Sequence, residues 1–98
     1  MTINYNVAAS VAGTAQVVDV TRLDPGFRVR VFPTGGDTIL VETSTTPNAA
    51  AAPGSARWIN WTPGAVTAAA QEVFTGKLTA VRVSRTAGAN TSYYEIAG

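Results

Sequence analysis

Two stretches of alternating apolar and polar residues, each broken by a glycine-containing turn, place the strongest constraint on the fold. The first is Phe27–Thr43 (FRVRVFPTGGDTILVET) and the second is Leu78–Ile96 (LTAVRVSRTAGANTSYYEI). A period of two with β-branched residues at the apolar positions is typical of strands that bury one face. The polar residues and glycines in the middle of each stretch favour a turn. The sequence therefore predicts two β-hairpins.

The first predicted hairpin has Pro33–Asp37 as its loop. In that register Arg28 lies directly opposite Glu42, and such opposite-charge pairs across a ladder are stabilising. The cross-strand partner of Arg30 is then Leu40 rather than an acid. The same register places five apolar side chains together on the other face: Phe27, Val29, Val31, Ile39 and Val41.

The second predicted hairpin has Ala87–Asn90 as its loop. This register sets Arg82 opposite Glu95, so that each hairpin carries an Arg–Glu pair on the face away from its apolar ladder. The apolar pairs of this hairpin are Val83 with Tyr94 and Val81 with Ile96.

The segments around the hairpins complete an all-β chain. Residues 1–14 are predicted to be an extended arm or a short edge strand, and 15–98 to be a single β domain. Further strands are expected at Ala15–Thr21, Arg57–Thr62 and Gln71–Thr75, and a mobile surface loop at Pro47–Ala56. Seven or eight antiparallel strands of this kind pack face to face as a small β-sandwich or jelly-roll-like domain.

The composition argues against several classes of function. The 98 residues include no His, no Cys and one Lys, and these are residue types on which most proton transfer, thiol chemistry and transition-metal binding depend. We therefore expect no enzyme, cofactor or metal. A net charge of +1 argues against a nucleic-acid partner. The chain has neither a long apolar run for a membrane span nor a signal peptide, so synthesis in a cytoplasm is expected.

Three large side chains are candidates for contacts with a partner. Trp58 and Trp61 are three residues apart and point to opposite faces of a strand, which predicts that Trp61 joins the core with Ile59. Trp58 is then either exposed as an anchor, or covered by the alanine-rich loop or by another strand. Arg30 and Tyr93 point outward in the predicted registers, as surface or interface residues. The candidate interface residues are Arg30, Trp58 and Tyr93.

The acids and the glycine-rich turn have simpler interpretations. Asp19, Asp24 and Asp37 follow no calcium-binding pattern, so we interpret them as residues that cap turns. The turn Thr34–Asp37 lacks the Gly-Lys-[Ser/Thr] ending of a phosphate-binding loop and opens no helix. It is interpreted as a plain connection between strands.

The order of residues from position 36 to 96 resembles a known structural module. Gly36-Asp37 is followed by TILVETS, then by Trp58 to Trp61, and then by PGAVTAAAQEVFTGKLTAVRVSRTAG and a last strand. This order is similar to that of a small β module in virion proteins of tailed bacteriophages. The best-matching parts are Gly64–Thr67 and Phe74–Gly88. The module has no functional residues of its own that could be transferred to this chain.

The resemblance implies a structural role in a virion. It implies a capsid decoration, or cement, protein that binds the major capsid protein lattice from outside, as a homo-oligomer (a trimer or a dimer), and that is located on the capsid surface after synthesis in the host cytoplasm. The alternative is a carbohydrate- or receptor-binding module of a phage head or tail fibre, with Trp58 and Tyr93 as stacking platforms. The arm and the Pro47–Ala56 loop are the segments expected to become ordered on docking.

Overall fold

The computed structural model describes residues 7–9 and 15–97 of the chain. Within these residues lie eight strands and one short 3₁₀ helix. Their bounds are β1 (Val7–Ala9), β2 (Ala15–Asp19), β3 (Phe27–Phe32), β4 (Thr38–Ser44), the 3₁₀ helix (Pro53–Ser55), β5 (Ile59–Asn60), β6 (Ala70–Phe74), β7 (Ala80–Ala87) and β8 (Ser92–Ala97).

The strands form two four-stranded antiparallel sheets that pack as a sandwich. The first sheet has the order β1-β8-β3-β6 and the second has the order β2-β7-β4-β5. Strands therefore pair from the outside of the chain inward (β1 with β8, β2 with β7, β3 with β6 and β4 with β5), and successive pairs alternate between the sheets. This nesting is the strand order of an eight-stranded jelly roll. The predicted fold class, an all-β sandwich or jelly-roll-like domain, is confirmed.

Both predicted hairpins are wrong, although their strands exist. β3 and β4 belong to different sheets, and so do β7 and β8. Residues 33–37 and 88–91 consequently lead the chain from one sheet across to the other, and we call these two connections the arches. β3 pairs with β8 in the first sheet, and β4 pairs with β7 in the second. Each arch therefore connects a strand of one sheet to a strand of the other.

The cross-strand charge pairs change with the strand partners. Glu42 lies opposite Arg82, and Arg30 lies opposite Glu95. The predicted pairs of Arg28 with Glu42 and of Arg82 with Glu95 are therefore wrong, as is the predicted placement of Arg30 opposite Leu40. The charged residues do point away from the core, as predicted. The acid and the base of each pair, however, lie on strands that are distant in the sequence and are not joined by one arch.

The reason for this error is that a hairpin and an arch bury the same side chains. In a hairpin the two apolar rows lie side by side in one sheet, whereas in an arch they face each other across the sandwich. The apolar residues predicted for the first hairpin are all 1% exposed or less. They meet residues of both sheets in one core, where the rings of Phe27 and Phe74 lie 5.6 Å apart.

Most of the remaining segments agree with their predictions. Strands β2 and β6 match the predicted strands within two residues. The strand predicted at Arg57–Thr62 is reduced to Ile59–Asn60, and Ile59 is 70% exposed instead of belonging to the core. Trp61 is buried, as predicted. The Pro47–Ala56 loop contains turns and the 3₁₀ helix, and buries Ala49.

The amino-terminal segment is described in part. β1 pairs with β8 at the edge of the first sheet, as expected for a short edge strand. Residues 1–6 and 10–14 of the predicted arm lie outside the described residues.

Candidate protein-binding face

The outer surface of the first sheet is the candidate binding surface, and we call it the open face. Side chains alternate along β3, β6 and β8, so that every second residue points away from the core. Between them lie buried residues such as Val29, Val31 and Ile96. The open face consists of Arg28, Arg30, Phe32, Gln71, Val73, Tyr93, Glu95 and Ala97.

The open face carries most of the exposed large apolar side chains. In the described part of the chain four such residues are exposed, and three of them lie here: Phe32 at 36%, Val73 at 46% and Tyr93 at 44%. Phe32 and Tyr93 are cross-strand neighbours on β3 and β8. Aromatic residues and Arg are enriched where proteins bind one another. The composition of this face is therefore typical of a contact surface.

Arg30 occupies the centre of the open face. Its Nε donates a hydrogen bond of 3.1 Å to Oε1 of Gln71 on β6. Its Nη1 lies 3.7 Å from Oε1 of Glu95 on β8, and the two side chains are 40% and 30% exposed. An ion pair this long and this exposed contributes little to stability. The guanidinium group can therefore take a second acceptor from a partner at small cost.

Arg28 lies at the end of the open face, between Ala97 on β8 and Val73 on β6. Its Nε is enclosed and has no hydrogen-bond partner among the residues that the structure describes. Arg28, Arg30, Glu95 and Ala97 line a shallow depression of about 200 Å³. A larger open groove of about 350 Å³ runs beside Arg30 and Phe32. The open face is thus ridged rather than flat.

The outer surface of the second sheet differs because the chain covers it, and we call it the covered face. The loop before β5 brings Trp58 over β7, where Cζ of Arg82 lies 4.3 Å from the centroid of the indole ring. The Nε1 of Trp58 donates a hydrogen bond of 3.0 Å to the carbonyl oxygen of Pro53 in the alanine-rich loop. One face of the ring and its only polar atom are therefore already used within the chain.

The ion pair of the covered face is shorter than that of the open face. Nη2 of Arg82 lies 2.9 Å from Oε1 of Glu42, and Nε of the same Arg donates to that oxygen at 3.0 Å. The side chains of Arg82 and Glu42 are 24% and 17% exposed. The guanidinium of Arg82 therefore lies over the indole ring of Trp58 and is bonded along its edge by Glu42.

A buried polar cluster joins the two arches at one end of the sandwich. The carboxylate of Asp37 is fully buried, and it accepts hydrogen bonds from the hydroxyl of Ser92 at 2.6 Å and from the backbone N–H of Asn90 at 3.0 Å. Nη1 of the buried Arg85 donates to the carbonyl oxygen of Asn90. Asp37 therefore lies in one arch, whereas Asn90 lies in the other arch and Ser92 is the first residue of the strand that follows it.

The cluster stabilises the charged form of Asp37. Burial by itself raises the pKa of this carboxyl, but hydrogen bonds from Ser92 and Asn90 and the positive charge of Arg85 together lower it below its ordinary value. Asp37 was predicted to cap a turn, and the turn that its carboxylate caps is the second arch, through the N–H of Asn90. Asp19 does the same locally, since hydrogen bonds from the hydroxyl and N–H of Thr21 lower its pKa.

Two glycines allow the arches to approach this closely. Gly88 has φ +97°, and a Cβ there would lie 2.7 Å from Cα of Asp37. Gly35 has φ +59°, and a Cβ there would meet the side-chain amide of Asn90. Residues with a Cβ rarely adopt a positive φ. The glycine-rich turn therefore serves contact between the arches.

Two kinds of feature are absent from the described residues. Residues 7–9 and 15–97 contain no group of three or more His, Cys, Asp or Glu that could hold a metal ion. In the same part of the chain no helix is long and apolar enough to cross a membrane.

The structure places the three candidate interface residues on two different surfaces. Arg30 and Tyr93 share the open face, whereas Trp58 lies on the covered face and is half-buried there. Sequence reasoning missed Phe32 and Val73. The sequence did contain this information. Phe32 is two residues from Arg30 on β3 and so shares its face, and Val73 is adjacent to the buried Phe74 on β6 and so points outward.

Comparison of this chain with protein-family models, with curated proteins and with solved structures found no match.

Proposed function

We propose that this protein is a decoration protein of a tailed-bacteriophage capsid, which binds the assembled head from outside and stabilises it without catalysing a reaction. It requires no cofactor or metal for this role. Its partners are the major capsid protein lattice and further copies of itself, and its location is the surface of the virion.

The observation that carries a binding role, rather than a catalytic one, is the open face. Phe32, Val73 and Tyr93 lie next to the weakly paired Arg30, on a side of the sandwich that no other described residue covers. Exposed apolar groups cost free energy in water unless a partner covers them, and such patches mark sites of interaction. A binding role explains this surface better than a catalytic role, since the chain contains no His and no Cys.

The fold gives support by analogy. Eight-stranded jelly rolls with this strand order occur in viral capsid domains and in lectins. A fold alone does not assign a function, so this analogy adds to the resemblance of residues 36–96 to the virion module and does not replace it.

The proposed contact with the lattice is the Pro47–Ala56 loop. It follows β4 at the end of the sandwich where Thr79 donates a hydrogen bond to the carbonyl oxygen of Thr46. Ala51 and Ala52 are exposed there, so that small apolar side chains point outward. Many such weak contacts at a fixed spacing become durable when the bound molecules are linked, because dissociation then requires several contacts to break together.

The alternative function, binding of carbohydrate or a receptor, loses part of its basis. It used Trp58 and Tyr93 as two stacking platforms, but Arg82 occupies one face of the Trp58 ring, and the two residues lie on different sheets. Tyr93 alone, beside Phe32, would be the remaining platform.

Co-sedimentation with capsids tests the proposal. Purified protein is mixed with empty mature capsids of the phage that encodes it, and we expect it to sediment with them and to raise their disruption temperature. The double variant Ala51→Glu/Ala52→Glu should lose this binding, whereas Thr86→Glu, an exposed change at the opposite end of the sandwich, should retain it. Absence of binding to every capsid form, together with glycan-array binding that Tyr93→Ala abolishes, would support the alternative.

A further inference from the structure

The residues of the open face are arranged so that two copies of this face can be complementary to each other. Along β3 and β8 three ladder pairs cross this face: Phe32 with Tyr93, Arg30 with Glu95, and Arg28 with Ala97. Each pair joins two residues whose side chains attract one another or leave room for one another. The same pairs would therefore also be favourable between two separate molecules.

A two-fold axis produces such contacts. If the axis runs parallel to the strands, midway between β3 and β8, rotation places β8 of one copy over β3 of the other at the same height along the strands. Arg30 then faces Glu95 of the second copy, Phe32 faces Tyr93, and Arg28 faces the small side chain of Ala97. Sheets packed face to face lie about 10 Å apart with strand directions within about 30° of each other, which side chains of this size can span.

Charge complementarity distinguishes this arrangement from other symmetric ones. Rotation about an axis perpendicular to the strands through the same point would set Arg30 over Arg30 and Glu95 over Glu95. The axis parallel to the strands instead gives two Arg–Glu contacts across the interface, one on each side of the axis. Within one chain this pair is 3.7 Å apart and partly exposed, so both groups remain available to a second partner.

We propose that the protein forms a symmetric dimer through its open face, with Arg30 and Glu95 of each copy paired with Glu95 and Arg30 of the other. The inference depends on the open face being a protein-binding surface, and it does not depend on the partner lattice being a phage capsid. An axis along the strands also leaves both Pro47–Ala56 loops at the same end of the dimer, where they would bind two lattice sites together.

Charge reversal tests this pairing. In Arg30→Glu each contact across the interface becomes two acids, and in Glu95→Arg it becomes two bases. Each variant alone should dimerise about 100-fold more weakly than the native chain, a factor of about ten for each of the two contacts. Sedimentation velocity of the purified proteins measures these dissociation constants.

Mixing the two variants gives the decisive result. An equimolar mixture of the Arg30→Glu and Glu95→Arg chains restores two opposite-charge contacts, so a heterodimer should form with nearly native affinity. The exposed changes Arg22→Glu and Asp24→Arg carry the same changes of charge elsewhere, and they should leave the dimer unaltered. Circular dichroism and thermal melting check that every variant is folded.

Three results would overturn the inference: a native chain that is monomeric at 100 µM or trimeric, single variants that dimerise as well as the native chain, or a mixture that stays monomeric. A dimer that does not bind capsids would contradict the proposed function alone. A monomer that binds and stabilises capsids would contradict the dimer alone.

Discussion

The two outer faces of the sandwich use the same residue types in different ways. On the covered face Trp58 lies over the guanidinium of Arg82, which is also bonded by Glu42 at an Arg–Glu distance of 2.9 Å. The open face has an Arg–Glu distance of 3.7 Å and leaves its aromatic side chains exposed. The difference arises from the connection before β5, which lays Trp58 over the second sheet.

This comparison shows that exposure of a residue type depends on what the rest of the chain places above it. Trp58 had the strongest individual claim to be an anchor, since Trp is enriched at interaction hot spots. The chain satisfies it internally, with Pro53 and Arg82. Among the described residues nothing covers the less conspicuous pair Phe32 and Tyr93 in this way, and the pair is 36% and 44% exposed.

The largest loss of stability is expected for a substitution in the arches, which connect the two sheets. Gly88→Ala introduces a Cβ at a positive φ and 2.7 Å from Cα of Asp37, so the backbone itself must move. We expect a loss of about 3 kcal/mol in the free energy of unfolding, measured by urea denaturation. Gly36→Ala is the matched control, because a Cβ there meets nothing within 4 Å. Equal stability of the two variants would refute the close contact between the arches.

Acid should lower the stability of the whole sandwich by protonating Asp37, whose carboxylate joins the two arches. The pKa of Asp37 is lower in the folded chain than its ordinary value of 3.8, so the unfolded chain binds the proton more tightly. Its contribution to stability is therefore complete above about pH 5 and is lost as the pH falls through the folded pKa.

The Asp37→Asn variant isolates this contribution. It should be less stable than the native chain at pH 7, and its stability should decline less steeply between pH 5 and pH 2.5. Thermal melting across this range is the measurement, and parallel curves for the two proteins would show that Asp37 is not the responsible group.

Trp58→Ala should open the covered face. Truncation of a buried Trp costs about 3–5 kcal/mol, and since Trp58 is half-buried we expect about 2 kcal/mol. Trp58→Phe keeps an aromatic ring over Arg82 but loses the hydrogen bond to Pro53, so it should cost about 1 kcal/mol. Urea denaturation measures both. A loss below about 0.5 kcal/mol for Trp58→Ala would mean that Trp58 does not stabilise the outer surface of the second sheet by covering it.

Double-mutant cycles compare the two ion pairs directly. Replacement of each partner by Gln, alone and together, should give a coupling of about 1 kcal/mol for Arg82 and Glu42, whose side chains are mostly buried. For Arg30 and Glu95 we expect about 0.3 kcal/mol in the monomer, because that pair is longer and more exposed. The reverse order would invalidate the distinction between the faces.

Tyr93→Ala should have the smallest effect on the monomer. Tyr93 is 44% exposed, so we expect a change of less than about 0.5 kcal/mol in the free energy of unfolding, measured at a concentration where the chain is monomeric. Self-association should nevertheless weaken, since the residue faces Phe32 of the second copy in the proposed dimer. A large loss of stability would place Tyr93 in the structural framework instead of on a free surface.

Much of the fold could be predicted because burial follows a period of two. The apolar ladder of the first arch, the burial of Trp61 and the outward direction of Arg30 and Tyr93 all follow from parity along a strand. The same period places Phe32 on the outward face with Arg30, although sequence reasoning did not identify it as a candidate contact.

The strand partners could not be predicted by the same reasoning. Backbone hydrogen bonds in a ladder are the same for any antiparallel neighbour, and a connection of five residues suits either a hairpin or an arch. In a hairpin and in an arch alike, Val29 and Val31 are buried, and Arg28 and Arg30 point outward. For that reason the acids and bases were assigned to the right faces but to the wrong partners.

The sequence by itself determined that this chain is an all-β domain, which side of most strands is buried, and that the chain contains no His and no Cys. Only the tertiary structure decided that the strands nest as a jelly roll, that Glu42 pairs with Arg82 and Glu95 with Arg30, and that Trp58 is covered while Tyr93 is not. The physical reason is that burial is a property of each strand and its period, whereas pairing and cover depend on which distant segments the closed core brings together.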